Sequence, residues 1–478
     1  MKFILYTLAI FTAIILSTPR LWGQIVENGD TRYGNEWINY DQSYLKIKVG
    51  EDGIYRISQE QLIEAGVPVS DIDVAEYRLY WIGKEQRLLT SRESGPLQGG
   101  DDLLFYGRKN RSEVDRFLFS DPDRQMLNPE YGLTTDTSAY FLTWTPGVPS
   151  NVRFHRVEND LSNPGSPLPW YIHHEKLVFS EAAFKGAINS EGVRYSTYGE
   201  GEGFGSSLHS EHSFVFNAKD YNLAGSAAKL HLRVTGSIRP HEVTIDWNGN
   251  DLGTLEFAGA NQSGGSVLVD TFFSLDLSKL KPENIFKSTT SGSTDEVIYG
   301  LLELTYPRNF AFSQERSVHI NLNNIADGAY FEFLGFDNQG QSPFVFDLTD
   351  GKVIIGEVEG DETRVKIPPG SESRSFVIIS VQSISNANLF GITFENLSNS
   401  SAEFILISHK KLMLGENVVE QYADYRSSKD GGNYKTQIIE INQLVNQFAY
   451  GVYKHPLSTK NFSNYIRKNW QNPKFIFL

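Results

Sequence analysis

The apolar positions of this chain recur mostly at every second residue from about residue 33 to residue 394. Leu45, Ile47 and Val49 are an early example, and Leu230, Leu232 and Val234 are a later one. Short runs of this kind are separated by Gly and Asn turns. Such alternation predicts antiparallel sheets that turn one face towards a core.

The first unit is predicted over residues 24–145 as a small β-rich, α+β domain. It contains one helix, because Ser58 stands three residues before Gln61, which is the spacing of a capping box. Gly66 follows as a helix stop. Strands are predicted at residues 45–49, 54–57, 103–106 and 140–144.

Residues 146–212 are predicted to be a linker and irregular segment, since their first part is rich in Pro, Asn and Ser. The glycine-rich stretch 199–205 lacks a preceding strand and a following helix, so it is interpreted as a loop and not as a phosphate site. A jelly-roll-like β-sandwich is predicted over residues 213–400. Its strands are expected at residues 230–234, 243–247, 267–273, 297–306, 330–334, 344–347, 353–358 and 375–381.

The period changes near residue 400. Residues 404–407 (FILI) are a continuous apolar run, as in a strand that is buried on both faces. A helical pattern, a strand at residues 436–441, a second helical pattern and a strand at residues 475–478 follow, which predicts a parallel sheet with right-handed crossovers. Because the sequence ends in a strand, we expect residues 401–478 to be the truncated start of an α/β domain. The apolar helix positions are Leu414, Val418, Val419, Tyr422 and Ala423, then Leu457, Phe462, Tyr465, Ile466 and Trp470.

Residues 1–23 have the pattern of a secretory signal peptide. Lys2 precedes an apolar stretch that Pro19 ends, and cleavage is expected before Gln24. An uncleaved anchor is the alternative. The rest of the sequence has no second apolar run of spanning length. We therefore expect export across the inner membrane to the periplasm, the outer membrane or the cell surface.

The net charge of −15 argues against a nucleic-acid partner, because phosphate binding needs a basic surface. The absence of cysteine among the 478 residues excludes disulfides and a thiol nucleophile within them. The close histidine groups, His173 with His174 and His209 with His212, are interpreted as surface or strand-edge side chains. No cofactor is evident, and the acidic turn at residues 51–53 lacks the ligand spacing of a calcium-binding EF-hand. Calcium binding thus stays open, and the residues define no catalytic, cofactor-binding or metal site.

Residues 403–428 resemble the opening strand and helix of gingipain-type cysteine peptidases, and residues 438–478 resemble the next part of that domain. Residues 33–57, 127–144 and 302–310 are similar to the N-terminal region of PorU-type proteins, the sortase-like peptidases of the type IX secretion system. The resemblance extends over nearly the whole chain after the signal peptide. Five residues fall at the family's matching places: Phe448, Gly451, Pro456, Phe462 and Trp470.

The resemblance implies a caspase-like domain in which a Cys thiolate attacks the scissile carbonyl and a His transfers the proton. It also implies secreted protein cargo and other secretion-system components as partners. The family's Gly-His-Gly motif and its Cys lie downstream of the strand at residues 475–478, so no catalytic residue is carried over. Four of the matching residues, Phe448, Gly451, Pro456 and Trp470, are expected to be structural, in a turn, at a helix start and in the core. The expected function is a catalytically incomplete N-terminal fragment of such an endopeptidase, and the alternative is a non-catalytic surface or glycan-binding protein.

Overall fold

The computed structural model describes residues 25–27, 30–187, 193, 197–260 and 267–478, so the predicted signal peptide at residues 1–23 lies outside it. The elements up to residue 144 are β1 (Ile25–Glu27), β2 (Asp30–Arg32), β3 (Tyr44–Val49), β4 (Gly53–Ser58), α1 (Gln59–Glu64), β5 (Tyr77–Trp81), β6 (Lys84–Gln86), β7 (Leu89–Thr90), β8 (Asp102–Gly107), α2 (Pro122–Gln125) and β9 (Ser138–Trp144).

The central elements come next. They are β10 (His155–Val157), β11 (Tyr171–Val178), β12 (Ala182–Lys185), β13 (Glu202–Gly205), β14 (Glu211–Asn217), β15 (Ala228–Gly236), β16 (His241–Trp247), β17 (Asn250–Phe257), β18 (Val269–Leu275), β19 (Glu283–Thr290), β20 (Val297–Arg308), β21 (Ser317–Leu322), β22 (Ala329–Leu334), β23 (Phe344–Asp347), β24 (Lys352–Ile355), β25 (Glu357–Glu359), β26 (Glu362–Ile367), β27 (Arg374–Ile379), β28 (Ser385–Asn386) and β29 (Leu389–Ile392).

The C-terminal elements form what we call the α/β unit. They are β30 (Phe404–Ser408), α3 (Val418–Ser427), β31 (Thr436–Glu440), α4 (Ile441–Phe448), α5 (Leu457–Asn469) and β32 (Phe475–Phe477).

The N-terminal unit is a pair of small sheets with strand orders β29-β3-β9-β5-β6 and β28-β4-β8-β7. Alternate side chains of β3, among them Ile47, point into the core between them. The predicted capping box is present, since the Ser58 side chain accepts from the Gln61 backbone N–H and the Gln61 side chain accepts from the Ser58 N–H. Because β28 and β29 complete the two sheets, this unit is discontinuous in sequence.

A long sheet with strand order β10-β24-β23-β27-β21-β11-β20-β15-β18 crosses the middle of the molecule. The sheet β14-β19-β16-β17 packs on its β20-β15-β18 end, and the sheet β22-β26-β25 packs on its β24-β23-β27 end. The predicted single sandwich is thus two sandwiches side by side. They are joined through β11, which pairs with β20 along its length and with β21 only at Ile172.

Four strands, β10 to β13, lie within residues 146–212, so the prediction of an irregular linker is wrong there. Strand β11 was missed because only Tyr171 of its side chains is buried, so it lacks the apolar alternation of the other strands. The glycine-rich stretch 199–205 is likewise not all loop, since its second half forms β13, which pairs with β12.

The α/β unit has the predicted parallel sheet, with strand order β31-β30-β32. Two details differ from prediction. The second strand ends at Glu440, one residue earlier than predicted, and the helix α4, which was not predicted, follows directly. Leu414, which was predicted to lie in the first helix, lies before α3 and is exposed. The spacing of Ile441, Leu444 and Phe448 is helical, so the sequence did carry a signal for α4. No helix in the described ranges is long and apolar enough to cross a membrane.

Arg374 is a buried charge in the second sandwich. Its guanidinium donates to Oδ2 of Asp347 (3.2 Å) and Oδ2 of Asp350 (3.3 Å). It also donates to the backbone oxygens of Ile325 and Pro368. The Arg374 side chain is 0% exposed and that of Asp347 is 1% exposed, so each charge depends on the other for compensation.

We predict that Arg374→Met lowers the free energy of unfolding by about 3–5 kcal/mol, because it leaves the Asp347 carboxylate buried without a countercharge. The matched control is Arg316→Met, which removes an ion pair with Asp337 whose arginine is 57% exposed. That change should cost at most about 1 kcal/mol. Urea unfolding followed by circular dichroism measures both, and equal losses would contradict the prediction.

Candidate functional site

The connections of the parallel sheet reverse direction at β30. The chain leaves β30 for β31 on one side and later crosses back to β32 on the other side. In open α/β sheets, ligands bind beyond the carboxyl ends of the strands at such a switch point. Ser408 ends β30, and Phe477 ends β32. The candidate functional site is therefore this carboxyl edge.

A groove of about 240 Å³ opens at the carboxyl edge between α3 and the sheet. Its walls are mostly apolar, and Val418 and Phe477 on them are exposed. A groove of this composition suits the apolar part of an extended chain better than a charged ligand. The lining residues are Leu406, Ile407, Ser408, Leu412, Val418, Val419, Tyr422, Phe477 and Leu478.

Polar side chains beside the strand ends act as local caps. His409 Nδ1 accepts from the backbone N–H of Lys411 at 3.1 Å. Glu440 Oε2 accepts from the backbone N–H of Asn442 at 2.9 Å, which caps α4. These contacts fix the turn after β30 and the start of α4. They do not form a nucleophile and base pair in the described part of the chain.

A serine–histidine contact occurs elsewhere, on the long sheet. His319 Nε2 lies 2.5 Å from Ser375 Oγ, across the β21–β27 pair. The backbone N–H of Ser375 donates to Thr349 Oγ1, so it is not available to an oxyanion. The contact therefore lacks the serine's own N–H as an oxyanion donor. Sequence reasoning missed it, because no motif links positions on two separate strands.

Of the histidines noted in the sequence, His173 and His174 lie on β11 and His212 lies on β14, whereas His209 lies just before β14. His174 Nδ1 lies 2.8 Å from Glu303 Oε1 on the adjacent strand. His212 is buried, and its Nε2 lies 2.9 Å from the backbone oxygen of Val297. Burial lowers the pKa of His212, because the charged imidazolium loses its hydration. Within the described residues, no group of three or more His, Cys, Asp or Glu side chains is arranged to hold a metal ion.

The α/β unit is supported from behind by the N-terminal unit. Lys46 of β3 reaches across, and its Nζ donates to Oδ1 of Asn446 (2.7 Å) and to the backbone oxygen of Gly451 (3.1 Å). Neither acceptor carries a full charge. Burial therefore lowers the pKa of Lys46 from 10.5 to about 8, and repulsion from Lys48 adds to this effect.

A buried pair forms the second link between the two units. His455 Nε2 lies 2.8 Å from Asp115 Oδ1, and the side chains are 0% and 1% exposed. His455 Nδ1 accepts from the backbone N–H of Leu457, so the ring proton is on Nε2 and is donated to the carboxylate. The other carboxylate oxygen accepts from the N–H of Leu133. His455 is thus a structural residue that fixes the start of α5.

The five residues at the family's matching places have structural surroundings. Phe448, Phe462 and Trp470 pack in one core between the sheet and the helices α4 and α5. Pro456 directly precedes α5. Gly451 has a φ of +78°, and a Cβ atom there would lie 2.6 Å from the Cβ of Ala139. Only glycine fits this close approach between the two units.

Comparison with protein families gives one match for this region. Residues 397–478 match the model of peptidase family C25. The match covers the carboxyl edge, α3, α4 and α5, so the resemblance of this segment to gingipain-type peptidases is confirmed. None of the curated proteins matches the chain.

The crystal structure of dimeric latent PorU from Porphyromonas gingivalis is similar to nearly all of the chain. The TM-score is 0.59 at 15% identity, and the match covers 93% of this chain and 42% of that one. At this identity the likeness shows a shared fold. It confirms β-rich N-terminal domains followed by the start of a C25 domain, and the chain spans less than half the length of PorU.

Carbohydrate-binding modules match shorter parts. A CBM36 domain of a xylanase from the hindgut metagenome of Trinervitermes trinervoides has 10% identity and a TM-score of 0.17, and it covers 28% of this chain and 95% of its own. A family 35 module from Clostridium thermocellum has 13% identity and a TM-score of 0.16, and the match covers 29% of this chain and 98% of the module.

A second prediction concerns Lys46. Its pKa is lower in the folded protein than in the unfolded chain, so between pH 8 and 10.5 the unfolded state binds more protons. The free energy of unfolding, taken relative to Lys46→Met, should therefore rise across this interval by about 2–3 kcal/mol. Denaturant unfolding at several pH values tests this. Lys229→Met, at an exposed position of β15, is the control, and a flat difference for Lys46→Met would contradict the prediction.

A third prediction concerns His455. His455→Ala leaves the buried Asp115 carboxylate short of one donor and should destabilise the docked α/β unit by about 1–3 kcal/mol. Hydrogen exchange at β30 and α5 should become faster. His409→Ala, at the carboxyl edge, removes only a local cap and should leave exchange in α5 unchanged. Equal exchange in both variants would show that the buried pair does not hold the units together.

Proposed function

We propose that this chain supplies the N-terminal domains and the first strands of the catalytic sheet of a gingipain-like cysteine endopeptidase of the PorU kind. The main support for the proposal is the match of residues 397–478 to peptidase family C25. These residues form a parallel sheet whose connections reverse direction at β30. The shared fold with PorU over 93% of the chain supports it for the β-rich part.

In this proposal the described residues frame the site and do not perform the chemistry. Such a peptidase uses a Cys thiolate as nucleophile, a His to transfer the proton and backbone N–H groups to stabilise the oxyanion. The 478 residues contain no cysteine, and the polar groups at the carboxyl edge are engaged as caps. We therefore expect that these residues alone do not hydrolyse peptides.

The proposed setting is the cell surface. The signal-peptide pattern of residues 1–23 supports export, and the likeness to PorU supports a place in type IX secretion. The proposed substrates are secreted proteins that carry a C-terminal sorting domain, which the enzyme would remove before it transfers the cargo to an anchor. The apolar groove beside Phe477 is a suitable place for part of an extended cargo segment.

The activity test compares two samples on a fluorogenic peptide library. One is the tagged gene product isolated from its own host, and the other is the recombinant 478-residue chain. We expect hydrolysis by the host product that iodoacetamide abolishes, and none by the recombinant chain. Hydrolysis that survives alkylation, or an inactive host product, would contradict the cysteine-peptidase assignment.

The substrate class has its own test. Disruption of the gene should leave secreted cargo with the C-terminal sorting domain still attached, as measured by mass spectrometry of the surface and culture fractions. Complementation with the intact gene is the control. Normal cargo processing in the disrupted strain, together with binding of the chain on a glycan array, would favour the glycan-binding alternative.

A further inference from the structure

The long sheet is open between β11 and β21, where its two sandwiches meet. These strands are antiparallel neighbours that pair at Ile172 and Asn321. If that register continued, His174 would face His319. Both residues instead line a cavity of about 430 Å³, so the two strands part just beyond Ile172. We call this opening between β11 and β21 the split.

Each strand beside the split is paired along its length on the far side only. β11 pairs with β20 from Tyr171 to Val178, and β21 pairs with β27 from Ser317 to Leu322. Within the described residues, the register therefore gives the backbone groups that face the split no ladder partner beyond Ile172. An open strand edge is a template for pairing with another chain, and here two such edges face each other.

Side chains do not close the split. His174 Nδ1 lies 2.8 Å from Glu303 Oε1 on β20, and His319 Nε2 lies 2.5 Å from Ser375 Oγ on β27. Each of these side chains is thus held towards the neighbour with which its own strand is paired. In the part of the chain that the structure describes, no side-chain hydrogen bond or ion pair joins β11 to β21.

Arg308 supplies a buried donor beside the split. It lines the cavity and is only 4% exposed. Its Nη2 donates to Glu315 Oε1 at 3.1 Å and to the backbone oxygen of Ala311, so its charge is offset. Its Nε–H, however, has no acceptor among the described residues. A neutral acceptor such as a peptide carbonyl would satisfy this donor without adding a charge.

The composition of the lining favours a polypeptide over a small apolar ligand. Apart from Val318 and Tyr306, the described residues that line the cavity are polar or charged, whereas small-molecule sites are mostly apolar. An extended backbone has donors and acceptors on both of its edges, so it can pair with β11 and β21 at the same time. The four positions 173–176 span about 13 Å, which is the length of roughly four residues of an added strand.

We propose that the split accepts an extended segment of a partner protein, which adds as a strand between β11 and β21. Neighbouring strands lie about 4.8 Å apart, so an added strand needs its two neighbours about 10 Å apart, and its entry would widen the split. The two sandwiches would then be joined through one continuous ladder. This site is separate from the carboxyl edge, and it does not depend on the proposed peptidase function.

An array of acetylated heptapeptide amides, in which Thr alternates with Val, Ser, Asn, Glu or Lys, tests the proposal on the purified chain. We expect some of these peptides to bind with a micromolar to millimolar Kd. The tightest peptide should slow hydrogen exchange at backbone N–H groups of both residues 173–176 and residues 317–320. Protection of one strand alone, binding without protection of either strand, or no binding by any peptide would overturn the proposal.

N-methylation of the tightest peptide separates insertion from addition to a single edge. Two versions are made, and each carries methyl groups on one alternating set of its backbone nitrogens. Because an inserted strand pairs on both edges, each version should bind at least about tenfold more weakly. Full affinity of either version would show that only one edge is used and would contradict insertion.

A pair of serine variants locates the bound peptide. Ser317 is exposed and lines the cavity, so Ser317→Trp should fill the split and abolish binding while the Tm stays unchanged. Ser213→Trp is the control, because Ser213 is an exposed residue of β14 that does not line the cavity. Equal affinity of the two variants for the peptide would show that it binds elsewhere.

Discussion

The burial of α4 and α5 against the N-terminal unit is the constraint on which the rest of this structure depends. A parallel sheet needs cover on both faces, and three strands with their helices do not provide a complete core. Here Tyr33 and Leu397 join Phe448, Phe462 and Trp470 in one core. The hydrogen bonds of Lys46 and His455 then fix the orientation of the two units.

This arrangement leaves the carboxyl edge of the parallel sheet open. The N-terminal unit covers helices behind the sheet, and the residues that line the groove at the strand ends all come from the α/β unit. Support and candidate site are therefore on different sides of the same small sheet. A scaffold of this kind can hold strand ends rigidly while the surface beyond them stays accessible.

The sequence predicted those parts of the fold in which local pattern and tertiary environment agree. The capping box at Ser58 and the apolar run of β30 are examples, because helix capping and two-sided burial leave direct traces in neighbouring residues. Strand β11 left no such trace, since its side chains are half exposed. The pair His455–Asp115 and the split between β11 and β21 were also beyond sequence reasoning, because tertiary packing alone brings distant segments together there.

The return of β28 and β29 to the N-terminal unit has a consequence for the order of assembly. β29 pairs with β3, and β28 pairs with β4, so each of these early strands has an open edge until residues 385–392 have been synthesised. Contacts between such distant segments form slowly, because a long loop has to close first. The platform for the peptidase-like sheet is therefore completed only after both sandwiches have left the ribosome, and the α/β unit can dock only then.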